Sequence, residues 1–331
     1  MRPATRIAAR LVVFALVALQ TFALGATLAL AQPYPSKPIR LVVPFAPGAI
    51  VDLAARVAAE RIGSATGQPG VIENRPGARG NTGIAQVLQS RPDGYVLGLT
   101  SDSILAINPH IYASMPFDPL NDVTPIGMIG AATQILIVNP KLPASNLREF
   151  IALARASPGK LTYGSAGAGS NLHLGAHVFS SMAGITLTHV PYKGAAPATI
   201  DLLAGRIDLM SATLASVIPH VRVGALRVLL VGGTERMKAL PEVPSADEAG
   251  LPGYKSTIWF GVIAPRGVPV EVVDILNTHL RAIPQDAVAR KRLDDAFIDP
   301  MPLTPAEFAG LIRADWQRWQ PIVKATGVKL D

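Results

Sequence analysis

Two stretches of this chain set glycine and other small residues where a strand hands over to a helix, an arrangement that can hold an anion. The first is Ala46-Pro47-Gly48-Ala49, which follows an apolar run ending at Phe45 and precedes a helical pattern containing Asp52. The second is Gly164-Ser165-Ala166-Gly167-Ala168-Gly169-Ser170-Asn171, placed the same way. A helix start leaves backbone N–H groups without partners and carries about half a positive charge. Glycine removes the Cβ atoms that would keep a ligand away, and Ser165 and Ser170 can add hydroxyl donors. Hydrogen bonds to an ionised group contribute roughly 1.5–3 kcal/mol each, so three or four hold a carboxylate at about micromolar affinity after association costs. Singly, each loop is equally well a plain connection. Together they make two anion-seeking surfaces that can face each other across a cleft, because the carboxyl ends of strands in open parallel sheets face the ligand crevice.

Other chemistries find less support. Neither loop ends in Gly-Lys-Ser/Thr or carries G-x-G-x-x-G with a later acidic residue, so neither is a nucleotide fingerprint. His173 and His177 have helical i, i+4 spacing, but a metalloprotease glutamate and a nearby third ligand are missing, and surface or core histidines are the plainer reading. No G-x-S-x-G elbow is present, and Ser165 or Ser170 would need a general base within hydrogen-bond reach to act as a nucleophile. A periplasmic hydrolase is therefore the weakest of the functional readings. No cofactor or metal is expected.

The elements that position the loops alternate. Leu41–Phe45 is a continuous apolar run, as expected of a strand covered on both faces. Val51 to Ile62 places Leu53, Ala54, Val57, Ala58 and Ile62 at helical spacing. Val71-Ile72, Thr82–Leu88 and Tyr95–Leu99 complete a βαβαβ unit. After a connection over Pro116–Pro125, the pattern restarts with a strand at Ile135–Val138 and a helix around Leu147–Ala154 that Ser145 or Asn146 can cap. A strand at 161–163, a helix at 171–182, a strand at 186–190, a helix at 197–204 and strands at 207–210 and 226–231 follow. A strand at Ile258–Ala264 then leads to three helices, Val270–Arg281, Asp286–Asp294 and Pro305–Trp319, without strands of their own. Helices without a sheet need one to cover, and the first unit has fewer helices than the second. The expected organisation is two open α/β lobes: residues 32–131 with 256–331, and residues 132–255. Two chain crossings, near Ala131 and Lys255, describe a hinge over a cleft. Prolines number 29 of 331, against an average of about 5%, and most fall between elements.

Leu11–Ala31 is an apolar run behind Arg2, Arg6 and Arg10 that ends in Ala29-Leu30-Ala31, the layout of a secretory signal peptide cleaved after Ala31. Its length also suits a membrane anchor, but the small-residue end and Pro33, Pro35 and Pro38 favour cleavage. Loss of that segment lowers the formal charge from +7 by its three arginines to +4. The remaining basic residues are scattered, which speaks against nucleic acid and mildly favours an anionic ligand. Arg290-Lys291-Arg292 is followed by Asp294 and Asp295, a pattern of solvated helix face. Cysteine is absent, which excludes disulfides, thiolate sites and a lipid-modified cysteine. An exported, soluble, monomeric protein of the periplasm is expected.

Several segments carry a resemblance: Leu41-Val42-Val43-Pro44-Phe45-Ala46-Pro47-Gly48, Glu73-Asn74-Arg75-Pro76-Gly77-Ala78, Arg91-Pro92-Asp93-Gly94-Tyr95, Tyr163-Gly164-Ser165-Ala166-Gly167 and His189-Val190-Pro191-Tyr192-Lys193-Gly194. In type and order they resemble the Bug family, the solute receptors of tripartite tricarboxylate transporters, and the likeness continues through Asp201–Gly205 and Glu248–Gly253. The resemblance implies a type II periplasmic-binding-protein fold, two-lobed and α/β, closing on a carboxylated small molecule. It implies ligand contacts from Phe45, Ala46, Pro47, Gly48, Ala49 and Asp52 in one jaw and from Ser165, Ala166, Gly167, Ala168, Gly169 and Ser170 in the other. It also implies a two-component membrane permease as partner, with a sensing role beside a membrane kinase as the alternative. Departures from the family pattern are Ala49 and Arg79 for usual glycines, the bulk of Ile50 and Val51, and Asp102 beside Ser101 in a stretch that is commonly Ser/Thr-rich. Ser211-Ala212 stands where amino-acid binders often have aspartate. These imply a pinched carboxylate on a mostly apolar or weakly polar body, with Arg79 able to hold a second carboxylate and Asp102 able to replace the missing acid.

Overall fold

The computed structural model describes residues 33–331, so the expected signal segment and its cleavage point lie outside the described residues. Within residues 37–331, which form one compact unit, the order begins β1 (Ile39–Val43), α1 (Ile50–Thr66), β2 (Gly70–Asn74), α2 (Asn81–Leu88) and β3 (Val96–Ser101). A π-helical turn (Ser103–Ile107) leads to the short α3 (Asn108–Ile111) and to β4 (Val123–Val138). Then come α4 (Leu147–Ala156), β5 (Thr162–Ser165), α5 (Asn171–Met182), β6 (Thr188–Pro191), α6 (Ala195–Ala204), β7 (Leu209–Thr213), α7 (Leu214–Arg222) and β8 (Arg227–Val231). The chain closes with β9 (Thr257–Pro265), α8 (Val270–Arg281), α9 (Ala287–Asp295), β10 (Asp299–Pro300) and α10 (Pro305–Thr326).

The strand order is β2-β1-β3-β9-β4-β7-β5-β6, with β8 and β10 also paired to β4. β1 runs parallel to β2 and β3, and β5 parallel to β6 and β7. β4 changes partners along its length: residues 123–133 pair with β9, and residues 134–138 pair with β7. At the changeover Gln134 N–H donates to Ser256 O and Gln134 O accepts from Gly232 N–H, both at 2.8 Å. Along the second part of β4, Leu136 and Val138 enter a core with Phe150, Tyr163 and Phe179. Ile135 and Ile137 enter another with Leu202, Leu209's neighbour Met210 and Val217. Alternate residues of a strand point to opposite faces, so this sheet is covered on both sides. A third core joins Ile84, Met128, Trp259, Ile263, Phe308 and Ile312.

Three expectations need correction. The segment expected to connect over 116–125 runs into β4, which is 16 residues long and starts at Val123 rather than Ile135. Pro125, Gly127 and Gly130 read as breakers, yet they fall at register shifts between Pro125/Gly127 and Met128/Gly130, where a strand tolerates them. The turn at 103–107, α3 and α7 have no counterpart among the expected elements. The tail does contain a short strand, β10, on Gly130 and Ala131. α8 packs on β4 and α1, α9 on α1, and α10 on β4 and the π-helical turn. On α9, Arg290–Asp294 and Lys291–Asp295 are i, i+4 pairs and Arg292 reaches Glu60, as the charge pattern suggested. No helix among the described residues is long and apolar enough to cross a membrane.

Candidate functional site

The first loop leaves β1 at Val43 and enters α1 at Ile50. Ala46, Pro47 and Gly48 are exposed, and Phe45 and Ala49 are half-buried. Gly48 has φ 85°, a left-handed conformation that glycine adopts without a Cβ clash. Asp52 lies behind the loop, only 3% exposed. Its Oδ2 accepts from Gly48 N–H at 3.1 Å and Arg56 Nε at 2.9 Å, and its Oδ1 accepts from Asn74 Nδ2 at 2.9 Å. Asn74 Nδ2 also donates to Phe45 O at 3.0 Å. Burial opposes ionisation of Asp52, but these donors outweigh it and hold the carboxyl below its usual range. Asp52 therefore braces the loop and engages the Gly48 N–H from inside. The N–H groups of Ile50, Val51 and Asp52 at the start of α1 meet no acceptor among the described residues, so they are the donors this loop has left to offer.

The second loop is built differently. Ser165 ends β5 fully buried, and Ser170 caps α5 by accepting from His173 N–H at 3.2 Å. Gly169 N–H donates to His173 Nδ1 at 3.0 Å, which fixes the proton of that neutral ring on Nε2. Ser165 Oγ lies 2.7 Å from His189 Nε2, donates to Gly167 O at 3.1 Å and accepts from Gly167 N–H at 3.2 Å. The rings form a stack because Tyr163 and His189 are register partners on β5 and β6, with α5 above them. His189 lies 4.8 Å from Tyr163 and 3.9 Å from His173, centroid to centroid. Burial, with lesser contributions from His189, His177 and Arg79, pushes the His173 pKa down to about 3. Burial also lowers His177 and His189, so the stack is uncharged at neutral pH. The sequence named no base for Ser165, and His189 was missed although it stands in one of the segments that carry the family resemblance. The Ser165–His189 distance suits a nucleophile and base. Among the described residues, however, no carboxylate is bonded to His189, and the serine is sealed from solvent and already committed to Gly167. The pair holds the loop's shape.

Of the loop's N–H groups, those of Gly167, Gly169 and Ser170 are engaged within it, while Ala168 and the α5 residues Asn171 and Leu172 have no acceptor among the described residues. Two carbonyls instead point toward Arg79, which donates from Nη1 to Ala168 O at 3.2 Å and from Nη2 to Gly169 O at 2.9 Å. Arg79 Nε reaches Asn108 Oδ1 at 3.4 Å. Burial lowers the Arg79 pKa, slightly offset by Tyr112. Pro44, which precedes the loop 45–49, packs beside Gly80, its Cβ 3.4 Å from the position a Cβ on Gly80 would take. No hydrogen bond among the described residues joins 45–49 directly to 165–170.

Of the remaining residues singled out in the sequence, Asp102 is fully buried, accepts from Asn171 Nδ2 at 2.5 Å, and has an Oδ1 without a partner. Burial, then Asp315, raises its pKa well above the carboxylate range. Ser101 Oγ pairs with Ser103 Oγ at 2.9 Å. Ser211 Oγ donates to Gln134 Oε1 at 2.8 Å, and Ser256 Oγ donates to the same oxygen, so Gln134 knits the strand changeover while its Nε2 stays unpartnered. Arg79, Asp102 and the second loop are thus brought together, with Ile107, Ile111, Leu174, Trp319 and Val323 forming an apolar seam beside them. A cavity of about 540 Å³ lies elsewhere, lined by Thr133, Lys238, Lys255, Arg290, Phe297 and Asp299 among others. None of the ligand-contacting residues expected from the sequence lines it.

Residues 54–328 match the family model for the tripartite tricarboxylate transporter family receptor, and the chain belongs to that family. It is 36% identical to Protein BugT of Bordetella pertussis over 91% of this chain and 92% of that protein. Among solved structures it is similar to Rpa4515 of R. palustris with adipate, at 35% identity, TM-score 0.79, and coverage of 89% of this chain and 99% of that one. It is also similar to MatC of Rhodopseudomonas palustris with bound malate, at 29% identity, TM-score 0.75, and coverage of 88% and 100%. The fold is the two-lobed α/β fold of the periplasmic binding proteins, and the class is a solute-binding receptor.

Proposed function

We propose that this chain captures a small carboxylate-bearing organic molecule between its two strand-to-helix loops and delivers it to a tripartite tricarboxylate-type permease. One observation carries the reading: at both loops, N–H groups at a helix start stand without acceptors, those of Ile50, Val51 and Asp52 on one side and of Ala168, Asn171 and Leu172 on the other. Such donors stabilise an anion through direct hydrogen bonds and the helix dipole together. Phe45–Ala49 and the loop from Ser165 to Ser170 are the ligand-contacting segments in this reading, with Asp52 and His173 holding them in shape. Adipate on Rpa4515 and malate on MatC support a carboxylate as the ligand class.

The lobes in this reading are residues 32–131 with 256–331 and residues 132–255, hinged where β4 changes partners at Gln134 and where Ser256 crosses back. Export through residues 1–31, cleavage after Ala31 and action as a monomer in the periplasm belong to the same proposal. Calorimetric titration of the purified mature protein with mono-, di- and amino carboxylates tests it. Saturable binding of a carboxylate without an α-amino group is expected. Glutamate or aspartate as the best ligand, or binding by none of the three classes, would defeat the reading.

A further inference from the structure

The cavity of about 540 Å³ lies at the strand changeover rather than between the two loops. Thr133 and Thr257, which are register partners on β4 and β9, both line it. The remaining walls come from residues 233–239 after β8 and from residues 297–299, where α9 gives way to β10. A cavity of this size suits a small organic molecule, and binding cavities favour junctions between packed units.

One wall is apolar. Val231 and Ile298 are buried there, and Met237 and Phe297 are half-buried. Phe297 has φ 55°. It sits in the turn that ends α9, where its N–H donates to Asp294 O at 3.0 Å and Ile298 N–H donates to Leu293 O at 2.9 Å. Glycine is the usual residue at that position of the turn, because a Cβ is strained in the left-handed conformation. The strained backbone holds an aromatic ring where the cavity meets the core of Ile135, Ile137 and Val231.

The other walls are ionic. Four cations line the cavity, Arg236, Lys238, Lys255 and Arg290, against three acids, Glu235, Asp294 and Asp299. Arg236 is held by Glu248 and Arg290 by Asp294, at 2.8 and 2.9 Å. No ion pair among the described residues takes up Lys238 or Lys255. Burial pushes the Asp299 carboxyl above its usual range, toward the neutral form. The hydroxyls of Thr133 and Thr257 add further donors without a partner among the described residues. Uncommitted donors therefore stand beside an aromatic wall, with the exposed Glu235 the remaining acid.

Independently of how the two loops are read, we propose that this cavity is a second ligand site, taking a small organic anion whose charged group meets Lys238 and Lys255 and whose aromatic body lies against Phe297 and Met237. Charge-assisted hydrogen bonds orient the anionic end, and the ring supplies contact area for the other. An occupant touches both strands at the point where β4 leaves β9.

The test is fluorescence titration of the mature protein with anilinonaphthalene sulfonate, an aromatic anion, and with phenylnaphthylamine, which lacks the sulfonate. Saturable binding of one anion per folded chain is expected, tighter than that of the neutral probe. Lys238→Gln and Lys255→Gln should each weaken the anion about two- to fivefold, the range for an exposed charge pair, and leave the neutral probe unchanged. Asp299→Asn should tighten the anion about twofold. Phe297→Gly, which suits the backbone and removes the ring, should weaken both probes about tenfold. Thermal melting of each variant without probe reads any loss of folding separately. Absence of saturable binding to the folded wild type would overturn the proposal. So would equal affinity of the wild type for the two probes, anion affinity unchanged across the variants, or lysine variants that weaken both probes alike.

Discussion

The two loops perform the same hand-over from strand to helix and are held by opposite means. The first is exposed and braced from within its own half by an anion, Asp52, tied to Arg56, Asn74 and Gly48 N–H. The second is largely withdrawn from solvent and held by neutral imidazoles beneath it and by a cation, Arg79, from a distant part of the chain. The first loop is therefore held by residues on its own strand-helix-strand unit. The second depends in part on contact with Arg79 and Asp102, which lie far from it along the chain.

The sharpest way to break this contrast is Asp52→Ala, which leaves Arg56, Asn74 and Gly48 N–H without their shared acceptor. Urea unfolding should show a loss of about 2–4 kcal/mol, and the near-ultraviolet signal to which Tyr163, stacked on His189, contributes should persist in the folded variant.

Acid attacks the second loop instead. The His173 pKa is lowered in the folded protein to about 3, so between the unfolded value near 6.5 and that point the unfolded chain binds more protons. Stability is fully present above about pH 6.5 and falls by up to about 1.4 kcal/mol per pH unit for each proton taken up on unfolding. Unfolding midpoints from pH 7 to 4 should show this slope, and His173→Gln should reduce it by nearly one proton. An unchanged slope in that variant would place the acid sensitivity elsewhere.

Substituting a glycine in each loop sharpens the comparison further. Gly48 (φ 85°) and Gly169 (φ 75°) share a left-handed conformation. A Cβ on Gly48 meets nothing within 4 Å, while one on Gly169 lies 2.5 Å from Ile111 Cδ1. Gly48→Ala should cost about 1 kcal/mol and Gly169→Ala about 2 kcal/mol or more, both read by denaturant midpoint. The smallest expected effect is Ser165→Ala, about 1 kcal/mol from the lost hydroxyl contacts. p-Nitrophenyl acetate turnover should stay at background in wild type and variant alike, and turnover that vanished with the substitution would revive a hydrolase.

Much of the local architecture could be read from neighbouring residues. Asn171–Met182 begins and ends where its pattern suggested, and Asn146, one of the two caps considered, accepts from Glu149 N–H at 3.0 Å. β4 could not be read, because Pro125, Gly127 and Gly130 are breakers in isolation and become tolerable only against β9 and β10. α7 was hidden by Pro219, which a nine-residue helix accommodates past its first turn. At the site, the loop positions were evident from glycine spacing. The use made of Asp52 was not, because its partner Asn74 lies 22 residues away on another strand.

The amino-acid sequence alone determined the two small-residue loops, the alternation of strands and helices, and the family to which they belong, because each is encoded by residues close along the chain. Only the tertiary structure decided that Asp52 faces inward, that His189 lies against Ser165, and that Arg79 spans 89 residues to Ala168. Those contacts depend on how separately folded segments come to rest against one another, and no local spacing encodes that distance.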